Sequence, residues 1–222
     1  MGMIVKALKK GQTLQTEDGR EILGPDASKG ERTRVRILDE AAALASENGI
    51  GAVTLGPLAD RLGMSKSGLF AHFKSKESLQ VEVLVRSAER FTEVVIAPIR
   101  AEKDKPKRLA IFFRNWLDWI EHPGLGSGKG GCPILAAHFE YDDVPGPVRD
   151  QAAKHNGEFY EFIRRLVAVA LPQADEYATA AAIDGLGLSH LLRVRLMGDE
   201  KARLHTLRAF EALQKNPPLK GA

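Results

Sequence analysis

The residues of clearest chemical meaning lie in one stretch, TLGPLADRLGMSKSGLFAHFKSKESL, at positions 54–79. Near its middle, short polar groups, one long cation and one aromatic ring follow one another. Groups of this kind reach base edges and thymine methyl groups in a DNA major groove. These residues are Ser65, Lys66, Ser67, Gly68 and Phe70. The stretch therefore predicts a surface that reads base pairs in double-stranded DNA.

Groups suited to phosphate flank this set on both sides. Thr54 offers a hydroxyl beside the free amides of a helix start, and Lys76 offers an ammonium group beside the next one. His72 is a further donor. These residues are candidate phosphate ligands, and the predicted DNA-binding set spans 54–73, including Phe73, together with Lys76.

Two short helices must position these groups. The sequence predicts a helix from Thr54 to Leu62, a left-handed residue at Gly63 and a second helix from Lys66 to about His72. Two short helices joined by such a turn are typical of a helix-turn-helix, whose second helix enters the major groove. Their apolar residues are spaced to pack against a preceding helix, which leaves the polar face of the second helix free. These apolar residues are Leu58, Leu62, Leu69 and Phe73.

Apolar residues at three- and four-residue steps predict helices along the rest of the chain. We expect these helices at 31–48, from Ser75 to near Pro98 or Arg100, and at 109–120, 133–141, 145–170, 174–197 and 200–214. The predicted fold class is therefore all-α, with an N-terminal three-helix helix-turn-helix DNA-binding domain and a C-terminal helical-bundle ligand and dimerisation domain. The expected divisions are an extension with room for a short hairpin, in part disordered, at 1–27, the DNA-binding domain at 28–78 and the bundle at 79–222.

Composition narrows the class of protein. A length of 222 residues with 44% hydrophobic and 27% charged residues fits one sizeable globular domain or two small ones. No apolar stretch reaches the roughly 20 residues of a bilayer span, and the N-terminus lacks a secretory signal pattern, so we expect a cytoplasmic protein with no membrane partner. Cys132 is the single cysteine, which excludes an internal disulfide and a zinc site of several thiolates. We expect no metal and no cofactor.

Residues 31–79 resemble the DNA-binding domain of TetR-family (tetracycline-repressor-like) transcriptional regulators. The stretch ALASENGIGAVTLGPLADRLGMS is similar to the end of the family's first helix, its glycine turn and its second helix. The stretch SKSGLFAHFKSKESL is similar to the family's recognition helix and the start of its fourth helix. The resemblance implies phosphate contacts from Thr54, His72 and Lys76 and base contacts from Lys66, Ser67 and Phe70.

Three positions depart from the family's pattern. Pro57 lies in the first turn of the second helix and has no N–H to donate to Thr54, so a phosphate there would rely on the amides of Leu55 and Gly56. Phe70 stands where tyrosine is common, and Ala71 stands where an aromatic or polar residue is frequent. We therefore expect base preference and phosphate affinity to differ from those of other members.

The C-terminal half carries features of a dimer interface. Gly185 and small alanines precede leucines in the segment 182–196, which allows two such helices to approach closely across a twofold axis. With the helix at 200–214, this segment resembles the family's two-helix contribution to a four-helix dimer interface. The candidate interface residues are Gly185, Leu188, Leu192, Leu207 and Phe210. The predicted partner is a second copy of the chain.

The bundle also gathers most of the aromatic residues, with histidines nearby in sequence. Such a set can line an apolar pocket with a few polar groups that orient a small organic ligand. The candidate pocket residues are Phe112, Trp116, Trp119, His138, Phe139, Phe159, Phe162 and His190. Simple core packing of the rings and a structural role for His138 and His190 are the alternatives. By resemblance to the family, a ligand there would tilt the fourth helix and release DNA.

The leading interpretation is a homodimeric transcriptional regulator, a repressor released by a small organic ligand. One alternative is a helical enzyme with Cys132 as nucleophile and His138 as base, although no third orienting group is evident. Another is an architectural DNA-binding protein without a ligand pocket. Lys6, Lys9 and Lys10 precede the DNA-binding unit, where they would add contacts to phosphate that do not depend on sequence.

Overall fold

The computed structural model describes residues 14–15, 21–22, 28–125 and 130–221, and most of this part of the chain is helical. Two strands, β1 (Leu14–Gln15) and β2 (Glu21–Ile22), pair antiparallel, so the short hairpin expected in the extension is confirmed. The predicted phosphate contacts of Lys6, Lys9 and Lys10 lie outside the described residues. None of the described helices is both long enough and apolar enough to span a bilayer.

The all-α prediction is confirmed, and the helices lie close to their predicted bounds. They are α1 (Lys29–Asn48), α2 (Leu55–Leu62), α3 (Lys66–His72), α4 (Lys76–Phe91), α5 (Arg108–Glu121), α6 (Pro133–Glu140), α7 (Pro147–Ala170), α8 (Glu176–Arg195) and α9 (Ala202–Lys215).

Local capping sets the ends of the N-terminal helices. The hydroxyl of Ser65 accepts a hydrogen bond from the Gly68 amide at 3.1 Å and so caps α3, and Ser75 caps α4 in the same way through Ser78 at 3.0 Å. Gly63 ends α2 in the left-handed conformation, with φ 63°. The predicted turn between α2 and α3 is therefore confirmed.

The end of α4 is irregular. After Phe91 the helix continues as a π-helical turn at Thr92–Ile96 and then as a 3-10 helix at Ala97–Ala101. Pro98 lies inside this segment and has no N–H to continue the α-helical hydrogen bonding. The side chain of Asn115 on α5 donates to the carbonyl of Val95 at 3.2 Å, which ties the loosened turn to the bundle.

Two hydrophobic clusters organise the fold. The first joins α1 to α4 and also takes in Ala137 of α6 and Val148 and Ala152 of α7. The second lies in the bundle, where α5 packs against α7, α8 and α9. The first cluster contains residues from both sides of the domain boundary predicted at residue 79. The DNA-binding unit therefore shares its core with the start of α7.

The second cluster is built around ring contacts. Trp116 packs against Phe112, Phe113 and Phe159, with ring centroids between 4.9 and 6.2 Å apart. Gly187 of α8 lies directly against the indole, since a Cβ on this residue would lie 2.1 Å from Cη2 of Trp116. Only glycine lets α8 approach α5 this closely.

We expect Gly187→Ala to lower the free energy of unfolding by about 1–3 kcal/mol, because the new methyl group must displace the Trp116 ring from a packed core. The matched control is Gly157→Ala in α7, where an added Cβ meets nothing within 4 Å. Gly157→Ala is expected to raise stability by about 0.5–1 kcal/mol, since alanine favours a helix more than glycine does. Urea unfolding of both variants measures the difference, and equal stability of the two would contradict the packing argument.

Candidate nucleic-acid interface

Helix α3 exposes one face and buries the other. Leu69 and Phe73 are 0% and 1% exposed and lie in the first hydrophobic cluster, whereas Phe70 is 54% exposed. Ser65, Lys66 and Ser67 are also exposed, and Gly68 is half-buried. The structure corrects the assignment of Phe73 to the DNA-binding set: its ring fills the core, which holds α3 against α1 and α4.

The start of α2 lies beside this face. Thr54 is the N-cap of α2, and its hydroxyl makes no capping hydrogen bond, as Pro57 predicts. Thr54, Leu55 and Gly56 are half-buried, and the hydroxyl and amide donors of this first turn are not used in capping α2, which leaves them for an anion. Lys66 lies close to this turn, with Nζ 4.0 Å from the point that a Cβ on Gly56 would occupy.

The start of α4 lies on the other side of α3. Lys76 is the first residue of α4 and is exposed, and His72 at the end of α3 is half-buried. Together with Lys66 and the exposed Lys74, Lys76 places positive charge around the polar face of α3. This arrangement suits the phosphate backbones on either side of a DNA groove.

Ion pairs and a buried amide hold the helix-turn-helix in place. Arg61 of α2 pairs with Glu40 and Glu47 of α1. Gln80 of α4 is 1% exposed, and its Nε2 donates to the carbonyls of Ile50 and Val53 at 2.8 and 3.3 Å. Sequence reasoning missed Gln80, because nothing in the local pattern marks a buried amide whose partners lie about 30 residues away.

The C-terminal bundle touches the DNA-binding unit through Glu140 at the end of α6. Its Oε1 accepts from the Ile50 amide at 3.1 Å, and its Oε2 accepts from the Gly51 amide at 2.7 Å. A Cβ on Gly49 would lie 2.3 Å from Oε1, so glycine at this position leaves room for the carboxylate. Glu140 thus caps the 3-10 turn Ile50–Ala52, which leads from α1 into α2.

A second contact between the two units lies at the end of α1. The Gly130 amide donates to the hydroxyl of Ser46 at 2.9 Å, and the Gly131 amide donates to the carbonyl of Ser46 at 2.8 Å. A Cβ on Gly130 would lie 1.6 Å from that carbonyl oxygen, so the loop approaches α1 as closely as a backbone allows. Together with Glu140, this loop binds the bundle to the segment before α2.

The candidate pocket residues do not share one environment. Phe112, Trp116, Trp119, Phe159 and Phe162 belong to the second hydrophobic cluster and contact one another or Phe91 of α4. His138 is half-buried, and one ring nitrogen lies 3.2 Å from the carbonyl of Ala152. Phe139 does not join them: it is 67% exposed, because α6 turns its buried face, Pro133 and Ala137, inward. The assignment of Phe139 to the pocket is therefore wrong.

His190 has a structural environment. It is 0% exposed, with Nε2 2.9 Å from Oε1 of Glu121 and Nδ1 3.2 Å from the hydroxyl of Thr206. Burial lowers the pKa of His190, while Glu121 opposes this shift. A neutral ring satisfies both contacts by donating to the carboxylate and accepting from the hydroxyl. The structure thus favours the structural role for His190 over a pocket role.

One open groove of about 740 Å³ lies away from the aromatic cluster, between the start of α4 and the loop from α6 to α7. Its walls include Lys76, Val81, Tyr141, Val144 and Arg149. The groove borders the proposed phosphate ligand Lys76, so it belongs to the junction between the DNA-binding unit and the bundle.

An apolar surface runs along the outer side of α8. Leu192, Leu196 and Met197 are 50%, 78% and 70% exposed, and Gly185 has open space over it. Leu188 and Leu207 are half-buried. Phe210 is 3% exposed and stacks on Phe113 with centroids 4.1 Å apart, so its assignment to the dimer interface is wrong. Residues 202, 206 and 210 form the buried stripe of α9, which places Phe210 inside the bundle.

Cys132 does not have the environment of an activated nucleophile. Burial raises the pKa of its thiol, so the neutral thiol predominates.

Asp118, Glu121 and His122 come within 4.8 Å of one another at the end of α5. Arg203 pairs with Asp118 at 2.9 Å and with Glu121 at 2.7 Å, so its guanidinium already offsets part of the negative charge of these carboxylates.

Comparisons with family models match two parts of the chain. Residues 37–83 match the model of bacterial regulatory proteins of the tetR family, and residues 106–210 match the tetracyclin repressor-like C-terminal domain. Together these matches cover more than half of the chain. They include the helix-turn-helix and most of the bundle.

Individual relatives support the same assignment. The transcriptional activator FasR of Mycolicibacterium smegmatis is 32% identical over 93 residues, which is 42% of each chain. The transcriptional repressor KstR2 of Rhodococcus jostii is 41% identical over 59 residues, 27% of this chain and 29% of KstR2. The chain thus matches less than half the length of these relatives.

A solved structure of a TetR transcriptional regulator from Chloroflexus aurantiacus is similar over most of its length. It superposes with a TM-score of 0.74 and 25% identity, covering 85% of this chain and 96% of the regulator. The similarity extends through both the helix-turn-helix and the bundle.

We expect Glu140→Ala to free the amides of Ile50 and Gly51, because it removes the carboxylate that accepts their hydrogen bonds. Hydrogen bonds to a charged group contribute about 1.5–3 kcal/mol, so amide exchange should accelerate by about 10- to 150-fold at these two residues. The control is Glu158→Ala, at an exposed residue of α7, which should leave the exchange rates of both amides unchanged. Unchanged exchange in Glu140→Ala would show that the turn does not depend on α6.

Proposed function

Because the chain belongs to the tetR family of bacterial regulatory proteins, we propose that it is a homodimeric repressor that binds a palindromic operator and is released by a small organic ligand. The observation that carries the proposal is the free face of α3, with exposed Phe70 between donors at the starts of α2 and α4. Residues 28–78 supply this face and residues 79–222 supply dimerisation and ligand binding. We expect it to act on DNA in the cytoplasm.

The exposed groups of α3 suit the reading of base pairs. Ser65, Lys66, Ser67, Gly68 and Phe70 lie on or beside the free face, and this face of a seven-residue helix fits a major groove about 12 Å wide. Thr54, His72 and Lys76 would bind the flanking phosphates. Occupation of an operator in this way blocks transcription without any contact to the polymerase, which is why we propose repression.

The outer side of α8 supports the homodimer. A stripe of small residues and leucines, including Gly185, Leu188 and Leu192, leaves apolar surface that a second copy would cover. Leu207 flanks this stripe from α9, and exposed Leu204 extends it. Two copies would place their recognition helices about 34 Å apart, one turn of DNA, and so match a palindrome.

The aromatic cluster supports a ligand site in the bundle. Its rings offer apolar contacts to a ligand. We keep His138 of α6, which contacts the carbonyl of Ala152, as the proposed polar group of this site. Burial lowers the pKa of His138, which favours the neutral ring; one nitrogen donates to the carbonyl of Ala152, so the other is left as an acceptor for a ligand. An uncharged or weakly polar organic molecule fits this chemistry better than a strongly charged one.

Helix α4 connects the proposed ligand site to the DNA-binding face. Phe91 near its end contacts Trp119 and Phe159 with centroids 5.4 and 5.6 Å apart, and Lys76 at its start lies at the DNA-binding face. Displacement of these rings would therefore move the helix that carries a phosphate ligand. The π-helical turn at Thr92–Ile96 follows the α-helical part of α4 and connects it to the bundle.

The test is selection of bound duplexes from a randomised library by the purified protein at two salt concentrations. The proposal predicts an enriched palindrome with half-sites about one turn apart, or a multiple of it. Retention of DNA without enrichment would favour an architectural protein, and no retention at either salt concentration would contradict DNA binding by the free protein.

We expect Phe70→Ala and Lys76→Ala to have different effects on DNA binding. Phe70→Ala should cost about 1–3 kcal/mol on the enriched duplex and little on a scrambled one, because it removes a base contact. Lys76→Ala should weaken binding to both duplexes alike and reduce the salt dependence of the binding constant by about one unit, because it removes a phosphate contact. Salt titrations of both variants separate the two roles, and equal losses on every sequence for both variants would contradict the assignment.

We expect Leu192→Glu to convert the dimer to a monomer, because the twofold axis would bury two carboxylates in apolar surface. The control is Val144→Glu, at a residue of similar exposure, 51% against 50%, in the loop before α7. Sedimentation equilibrium should give a monomer for the first variant and a dimer for the second. A dimer in both would place the interface elsewhere.

A further inference from the structure

One arginine side chain joins helices α1, α3 and α4. Arg34 lies in the first half of α1, and its Nη1 donates to the carbonyl of His72 at 2.6 Å. Its Nη2 pairs with the carboxylate of Glu82 on α4. The guanidinium lies over the ring of Phe73, 4.6 Å from the centroid. A single planar cation thus contacts the end of α3, the core residue that follows it and the next helix.

The end of α3 needs such a partner. The helix has seven residues and its last carbonyls have no amide ahead of them within the helix, since the chain becomes extended at Phe73. A cation at the C-terminus of a helix is favoured by the partial negative charge of those carbonyls. The positively charged guanidinium of Arg34 binds the carbonyl of His72, two residues after Phe70.

We propose that Arg34 is a positioning residue for sequence recognition: it fixes the tilt of α3 so that the free face presents Phe70 and its neighbours to the bases. The proposal rests on the proposed reading of DNA by α3. Base contacts require placement within about 0.5 Å, and a helix of seven residues is too short to hold its own orientation. Leu69 and Phe73 fix one side of α3, and Arg34 fixes its end.

The geometry separates this role from phosphate binding. Both terminal nitrogens of Arg34 already have protein acceptors, on α3 and on α4, and the flat face of the guanidinium covers a ring. A phosphate ligand would instead keep its donors toward solvent, as the exposed Lys76 does. The planar fork explains why arginine stands here, since a lysine ammonium cannot bind a carbonyl and a carboxylate while lying flat on a ring.

The experiment compares Arg34→Lys with Arg36→Lys, on the duplex that the wild-type protein enriches and on a scrambled duplex. Arg36 is the matched control, because it lies two residues further along α1, is exposed and has no hydrogen bond or ion pair within the described ranges. We expect Arg34→Lys to lose about 10- to 100-fold in affinity for the enriched duplex and less than about 3-fold for the scrambled one. The salt dependence of binding should stay unchanged, and Arg36→Lys should bind as the wild type does.

Glu82→Gln provides a second variant that keeps the shape of the site. It weakens the hold of α4 on Arg34, so we expect a smaller loss of the same kind, about 3- to 10-fold on the enriched duplex alone. Urea unfolding at the temperature of the binding assay checks that each variant is folded. A variant that loses stability but discriminates the two duplexes as well as the wild type would assign Arg34 a merely structural role and overturn the proposal.

Two further outcomes would also overturn it. Wild-type discrimination in both Arg34→Lys and Glu82→Gln would show that the end of α3 needs no such support. Equal losses on both duplexes with a salt dependence lower by about one unit would make Arg34 a phosphate ligand. If the wild-type protein enriches no duplex, the proposed function itself fails, which is distinct from a wild type that discriminates and variants that do not.

Discussion

The rest of the structure depends on the shortness of α3. A helix of seven residues has too few internal hydrogen bonds to be stable in water, so its position comes from its neighbours. Ser65 caps its start, Leu69 and Phe73 enter the first hydrophobic cluster, and Arg34 binds its end. Leu69, Phe73 and Arg34 hold α3 from its inward side and its end, which leaves the outward side free.

The same hydrophobic cluster links α3 to the bundle. Leu79 and Val83 of α4 share their cluster with Ala137 of α6 and Val148 of α7, while Glu140 caps the turn that leads into α2. A shift of α6 or α7 would therefore change the packing beneath α3 as well as the capping of that turn. Packed cores change between discrete arrangements more readily than they deform, so this shared core is suited to two states.

The sequence predicted what local chemistry decides. Ser65, Gly63 and Ser75 mark helix ends through contacts within a few residues, and these ends are confirmed. Arg34, Gln80 and Glu140 were missed because their partners lie 38, 30 and 90 residues away, and no local pattern marks them.

The wrong assignments have a common physical origin. Residue type alone placed Phe139 in the pocket and resemblance of the last helix placed Phe210 at the dimer interface, but Phe139 is exposed on α6 and Phe210 is buried on α9. Helix α8 carries apolar or small residues both inward, at Ile183 and Gly187, and outward, at Gly185 and Leu192. Its sequence pattern alone therefore does not tell the core side from the outer side.

The packed aromatic cluster sets a condition on any ligand that acts through it. Phe112 and Trp116 are 0% and 3% exposed, so a molecule that enters the cluster must replace ring contacts rather than fill an open space. A change in occupancy from 1:99 to 99:1 needs a preference of about 5.5 kcal/mol for one state. At about 25 cal/mol per Å², this is the burial of roughly 220 Å² of apolar surface in that state alone. One large aromatic side chain buries about 150–250 Å². A ligand that displaces one ring must therefore bury more apolar surface than that ring loses, and the required difference is about the area of one further large aromatic side chain.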